Sequence, residues 1–142
     1  MSVANSKATV LAFLDAVNRR DWSALDELTT EGFERHQSGF PVSVRSREDL
    51  KAFLRSEAVA FPDAHERVNF LIGEGNKVAA HLTFRGTQSG PLGPFQPSNL
   101  VHEADFICIF EVTNGRVSTA WVAWDRLHML EALGHLGPTN GR

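Results

Sequence analysis

The sequence contains a single cysteine, Cys108, so no internal disulfide can form. That leans the compartment towards the cytoplasm. No apolar run approaches the ~20 residues of a membrane span, and no membrane partner is expected. The first residues lack the charged start and unbroken apolar core of a signal peptide. Basic residues number 14 against 17 acidic ones and are scattered along the chain, which argues against a nucleic-acid footprint. The six histidines show no spacing such as H-E-x-x-H, and C-x-x-C is missing, so no metal site is expected. Repeats, low-complexity tracts and interdomain linkers are also lacking. What remains is 142 residues, 42% hydrophobic and 22% charged, the profile of one soluble domain able to bury its own core. Residues 1–142 are read as that single domain.

The order of elements follows from periodicity and caps. Asn5 or Ser6 is read as the cap of a first helix running to about Arg20, with Val10, Phe13, Leu14 and Val17 as its apolar stripe. Asp21 caps a short second helix carrying Trp22, Leu25 and Leu28, and Gly32 is expected to end it. A short strand is predicted over 33–37. Ser46-Arg47-Glu48-Asp49 resembles a capping box and opens a third helix, with Leu50, Phe53, Leu54, Ala58 and Phe61 on one face and Pro62 as the stop. Strands are predicted over 64–72 and 77–85 as a hairpin, then an irregular stretch over 87–98 that is long enough to be functional. Strands over 100–112 and 117–125 follow, then a short helix from Arg126 to Leu133 ended by Gly134. The tail from Gly137 is read as frayed. Hairpin-joined strands are antiparallel, and helices must cover one sheet face, so the class is α+β.

The last hairpin carries the candidate chemistry. Asn114-Gly115 is a strong signal for a two-residue turn, because both positions need positive φ. Thr113 then faces Arg116, and counting outward pairs Phe110 with Thr119, Cys108 with Trp121, Phe106 with Ala123 and Ala104 with Asp125. On that register Phe106, Cys108, Phe110 and Trp121 share one face with His102 and Asp125. The opposite face holds Trp124, Val122, Ile107 and Ile109 and calls for cover by helices or a second subunit. An acid–base pair of Asp125 and His102 beside an aromatic wall suits an enzyme acting on a greasy carbonyl compound. Asp125 also stands where it can cap the last helix. His36 and His81 lie in strands and are further candidates for the cavity wall.

Five motifs occur in order: Phe61-Pro62-Asp63, Gly86-Thr87-Gln88-Ser89-Gly90, Asn114-Gly115-Arg116-Val117, Trp121-x-x-x-Asp125 and Met129-Leu130-x-x-Leu133-Gly134. Together they resemble the SnoaL-like polyketide cyclases of the nuclear transport factor 2-like superfamily, over about residues 33–134. The resemblance implies a cone-shaped α+β barrel, a curved antiparallel sheet wrapped on about three N-terminal helices. It implies a homodimer. It also implies an aspartate, here Asp125, as acid/base in an intramolecular aldol closure without metal or cofactor. The expected substrate is a hydrophobic carbonyl or ester small molecule in a blind apolar pocket. The sequence departs from the family at Gln88, where histidine is usual and which is read as a substrate hydrogen-bonding group. It departs again at Pro97-Ser98-Asn99, with His102 three residues on. The alternatives are an isomerase, dehydratase or epoxide hydrolase on the same fold, or a non-catalytic binding or dimerisation module. That last reading expects Asp125 to be spent as a helix cap pointing away from the cavity.

Overall fold

The computed structural model describes residues 2–137; the tail beyond Gly137 lies outside them. The elements run α1 Val3–Arg19, a 3-10 turn Trp22–Ala24, α2 Leu25–Leu28, β1 Thr29–Gln37, α3 Arg47–Ala60, β2 His65–Glu74, β3 Lys77–Thr87, β4 Val101–Thr113, β5 Arg116–Ala123 and α4 Arg126–Ala132. This is an α+β fold, a five-stranded sheet in the order β1-β5-β4-β3-β2 with helices on its inner face. Among the described residues no helix is long and apolar enough to cross a membrane.

The sheet is mixed rather than wholly antiparallel. β2 to β5 pair as antiparallel neighbours, but β1 joins β5 in parallel, because the chain passes through α3 and three strands before returning to it. Several boundaries also move, with β2 and β3 running on to Glu74 and Thr87 and β5 ending at Ala123. Ser2, not Asn5 or Ser6, caps α1 by accepting the Asn5 N–H at 3.0 Å. Gly32 lies inside β1, which starts at Thr29 and takes up the chain directly after the four residues of α2.

The stripe read for α1 is its buried face. Val10, Phe13 and Leu14 are buried, with Val17 packed at the edge of the core. Phe13 stacks on Phe33 and meets Phe110 edge-on at 5.7 Å, which ties helix, first strand and long hairpin together. Ser46 accepts the Asp49 N–H at 3.0 Å and opens α3 as its capping pattern requires. Leu50 and Phe61 of the α3 stripe are buried, and Phe53 and Leu54 are half-buried.

The last hairpin corrects the register read from the turn. Asn114 and Gly115 both have positive φ, and Thr113 faces Arg116 as expected. Val112 then faces Val117, but Glu111 faces Thr119. Ser118 is an extra residue on β5, a bulge. Its hydroxyl donates to the Glu111 carbonyl at 3.1 Å and contacts the Thr113 hydroxyl at 2.9 Å, so the interruption is hydrogen-bonded. Beyond it every β5 side chain changes face: Phe110 pairs with Ala120, Ile109 with Trp121 and Cys108 with Val122. Val122 and Trp124 therefore join the inner face, and Trp121 goes outside.

Candidate functional site

Between the sheet and the helices lies a cavity of about 260 Å³. By scale against a 150 Å³ cavity that holds benzene, this is room for roughly two fused rings. Phe13, Phe33 and Phe110 line it, as do Phe106, Cys108, Val122 and Trp124. Phe106 and Phe110 thus line the cavity, where the reading of β4 put them. Residues 40–42 and 92–94, from two loops, complete the wall.

The other residues singled out in the sequence lie elsewhere. Trp121 is 39% exposed on the outer sheet face, stacked against His36 from the neighbouring strand. The Ser118 bulge puts it there, and the parallel pairing of His36 with Trp121 takes the histidine along. His81 also faces outward, stacked on Phe70 and hydrogen-bonded to Asn69 at 3.0 Å. None of the three reaches the cavity. Gln88 is fully buried but outside the cavity wall. Its amide donates to the carbonyls of Gly90 and Gln96, each at 3.0 Å, and its oxygen accepts from Ser98 and meets His135. This polar hub holds the 88–99 segment in a fixed shape and leaves Gln88 no free group for a ligand.

Gly90 anchors the same segment. Its N–H donates to the Ala60 carbonyl, and a Cβ there would stand 2.0 Å from the Val59 carbonyl oxygen. Gly90→Ala is expected to push the segment off α3 at a cost of about 1–3 kcal/mol, the range for overpacking. Faster proteolytic cutting within 88–99 is the readout. Cutting at the wild-type rate would contradict the anchor.

Asp125 and His102 do not form the expected pair in the cavity. The Asp125 carboxylate accepts the His128 N–H at 2.9 Å and caps α4, and its side chain is exposed. β5 ends at Ala123, so no register brings His102 opposite it; His102 pairs with Gly86 of β3 instead. The His102 ring is 2% exposed and packed among Phe84, Trp124 and His128. Burial, and then the neighbouring His128, lower its pKa against a weaker pull from Asp125, which favours the neutral ring.

The charged groups inside the cavity are Arg35 of β1, Glu57 of α3 and Glu66 of β2, with Arg20 and Arg126 also on the wall. Local periodicity puts the first three there. Phe33, Arg35 and Gln37 alternate onto the inner face of β1. Ala64, just before β2, and Glu66 and Val68 within it do so as well. Glu57 falls seven residues after Leu50, in phase with the apolar stripe of α3. The signal was present in the sequence: each of these charges sits in step with the apolar residues of its element.

Glu66 is held by its backbone. Its N–H donates to the Asn18 side chain and its carbonyl accepts from it, both at 2.9 Å. Its carboxyl has no hydrogen-bond or ion-pair partner among the described residues, and the same holds for Glu57. Burial, and then the nearby Glu57 carboxyl, push the Glu66 carboxyl up to about 7, against the opposing pull of Arg35. Burial raises Glu57 as well, again opposed by Arg35. Desolvation lowers Arg35, whose guanidinium lies 4.5 Å from the centre of the Phe53 ring and 5.3 Å from that of Phe40. Burial raises the Cys108 thiol strongly, which keeps it protonated and inert as a nucleophile. A carboxyl poised near neutrality among aromatic walls is equipped to take a proton and give it back.

A family model described as SnoaL-like polyketide cyclase matches residues 7–133. No curated protein sequence matches the chain. Among solved structures, TsrD from Streptomyces laurentii is 27% identical with a TM-score of 0.84, over 96% of this chain and 99% of that one. IdmH from Streptomyces antibioticus, described as a candidate polyketide cyclase, is 26% identical with a TM-score of 0.79, over 91% and 98%. A Mycobacterium tuberculosis LEH-like epoxide hydrolase shares the fold at 20% identity and a TM-score of 0.73, over 92% and 86%.

Proposed function

Because the chain belongs to the SnoaL-like polyketide cyclase family, we propose that it is an acid–base enzyme that closes a ring in a hydrophobic carbonyl or ester small molecule held in the cavity. The observation that carries this reading is the Glu66 carboxyl, unpartnered in an apolar cavity and raised to about 7. As carboxylate it removes a proton from the carbon next to a carbonyl. The enolate attacks a second carbonyl of the same molecule, a carbon–carbon bond forms, and the new alkoxide takes the proton back from Glu66. Proton and charge balance, and side chains alone perform every step, so the reading calls for no metal or cofactor. Asp125 in its capping position matches what a pure binding module predicts of that residue. Glu66 supplies the proton-transfer group that such a module would lack.

The test is exchange of the α-protons of 2-tetralone, a hydrophobic ketone of two fused rings, in heavy water. The protein is expected to speed exchange, with a rate that rises with pH through about 7 and then levels, because the ionised carboxyl is the active form. Exchange at the buffer rate across that range would count against proton abstraction. Opening of an epoxide would use the same Glu66 carboxylate, which takes a proton from the attacking water and returns it to the alkoxide released by the ring. Incorporation of labelled water into the product separates it from ring closure, which adds no water.

The outer sheet face supports a homodimer. Ile72 is 62% exposed and Ile109 42%, with Phe70, Ile107 and Trp121 beside them on the same side of the sheet. Such a patch on a soluble chain marks an interaction surface. Wild type is expected to run at twice the chain mass in light scattering and Ile109→Asp at the chain mass. A wild-type monomer, or a variant that stays dimeric, contradicts that assignment. The single buried thiol fits the reducing cytoplasm in which we place the protein.

A further inference from the structure

We propose that Arg35 makes the cavity an anion site, and that its ligand is a flat hydrophobic compound whose negative charge is shared by two oxygens, as in a carboxylate or a 1,3-dicarbonyl enolate. The inference deepens the reading above, since it rests on the cavity being where substrate binds. It adds that the substrate enters already carrying charge, or acquires it against Arg35.

Arg35 points inward because it pairs with Ala120, an inner-face position of β5. The rings of Phe53 and Phe40 hold its guanidinium. Its backbone N–H donates to the Val44 carbonyl at 3.0 Å, but among the described residues no carboxylate lies in ion-pair range of its guanidinium, and none of the guanidinium N–H groups has an acceptor. Yet no buried side-chain nitrogen or oxygen of the described residues that is sealed from solvent lacks a partner. The unpartnered donors of Arg35 therefore touch open space, and that space is the cavity it lines. A planar cation with a fork of free donors, pressed against aromatic rings, matches a planar two-oxygen anion on an aromatic body.

The charges around it agree. Glu57 from α3 and Glu66 from β2 are the carboxyls that face Arg35, and the Cys108 thiol from β4 is the third titratable group nearby. All three are biased towards their neutral forms by burial. Of the other cations on the wall, Arg20 is engaged by the carbonyls of Phe61 and Pro62 at 2.9 and 2.6 Å, and Arg126 adds a further positive charge. Below neutral pH the cavity is therefore positive, and ionisation of Glu66 cancels part of that charge.

Binding of three probes tests the proposal: 2-naphthoate, its neutral methyl ester, and 1-(2-naphthyl)butane-1,3-dione. A charge-assisted contact in a dry site is worth about 1.5–3 kcal/mol, so at about pH 6 naphthoate is expected to bind at least tenfold more tightly than the ester. The advantage is expected to shrink at about pH 8.5 in wild type and to persist in Glu66→Gln. Arg35→Met is expected to lose tenfold or more for naphthoate and stay within twofold for the ester, and retained ester binding shows that the variant is folded. The dione is expected to bind with the absorption of its enolate, and that signature is expected to vanish in Arg35→Met. An advantage for naphthoate alone assigns the site to carboxylates, and an enolate signature alone assigns it to dicarbonyls. Equal binding of naphthoate and ester, with no enolate signature, overturns the proposal, as does an anion preference that survives Arg35→Met. Naphthoate has no proton for Glu66 to remove. Failure here therefore leaves the tetralone result standing, and failure there leaves this one.

Discussion

Glu66→Gln is expected to lower the rate of α-proton exchange, and of any ring closure that follows it, by about 10²–10⁴, the usual contribution of a positioned general base. Binding of a neutral ligand such as 2-tetralone should change little, because the amide keeps the shape of the side chain. The strand should hold as well, since the backbone of Glu66 is pinned to Asn18 through both its N–H and its carbonyl. Asp125→Asn serves as the comparison. It keeps an acceptor for the His128 N–H at the start of α4 and is expected to leave exchange near the wild-type rate. Exchange that survives Glu66→Gln and is lost in Asp125→Asn would return the acid–base role to Asp125.

The same substitution is expected to stabilise the fold at high pH. Glu66 is raised from an ordinary 4.5 to about 7 in the folded chain, so between those values the folded state holds a proton that the unfolded state releases. Stability contributed by that proton is complete below about pH 4.5 and falls away as pH rises to about 7; above that the deficit is constant. At about 1.4 kcal/mol for each unit of pKa difference, the deficit is on the order of 3 kcal/mol. Glutamine cannot ionise and escapes it. Glu66→Gln should therefore melt roughly 5–10 °C above wild type at pH 8 and close to it at pH 4.5, the gap opening between the two. Glu57→Gln should move in the same direction, since its carboxyl is raised by the same burial. A gap of equal size at both ends would show that Glu66 is not held protonated by the fold. Stability given up to keep an ionisable group in an apolar cavity is the pattern of a functional position.

Much of the fold could be read from the chain because local rules and tertiary structure agree. Ser46 caps α3, Asn114-Gly115 makes the turn, and the stripe from Val10 to Val17 faces the core. The inner face of β4 was legible for the same reason: Phe106, Cys108 and Phe110 alternate cleanly and line the cavity. The site was less legible, and one residue accounts for most of the difference. Counting from a turn assumes an unbroken ladder, and Ser118 breaks it. A bulge has no strong signature when the added residue is a serine between two β-branched neighbours. Its effect is large because strand periodicity is two, so one extra residue sends Trp121 outward and Trp124 inward.

The charged cluster was hidden for a different reason. Arg35, Glu57 and Glu66 come from three different elements, β1, α3 and β2, and match no motif. Each could be seen as a charge in phase with its element's apolar side, but only the folded sheet brings them to one cavity. Asp125 was the reverse case, a residue with a motif and two possible roles. The helix N-terminus took it, since backbone donors at a helix start need an acceptor and the cavity does not.

The acid–base role of Glu66 is tested most simply by titrating its side-chain carboxyl carbon, followed by nuclear magnetic resonance in protein labelled with ¹³C at glutamate, with Glu66→Gln to assign the signal. A midpoint close to 7 is expected, moved downward in Glu57→Gln, where the neighbouring carboxyl no longer opposes ionisation. A midpoint in the ordinary glutamate range, unmoved by Glu57→Gln, would contradict that role, because a carboxyl fully ionised at neutral pH lacks the poise that the proposed chemistry requires.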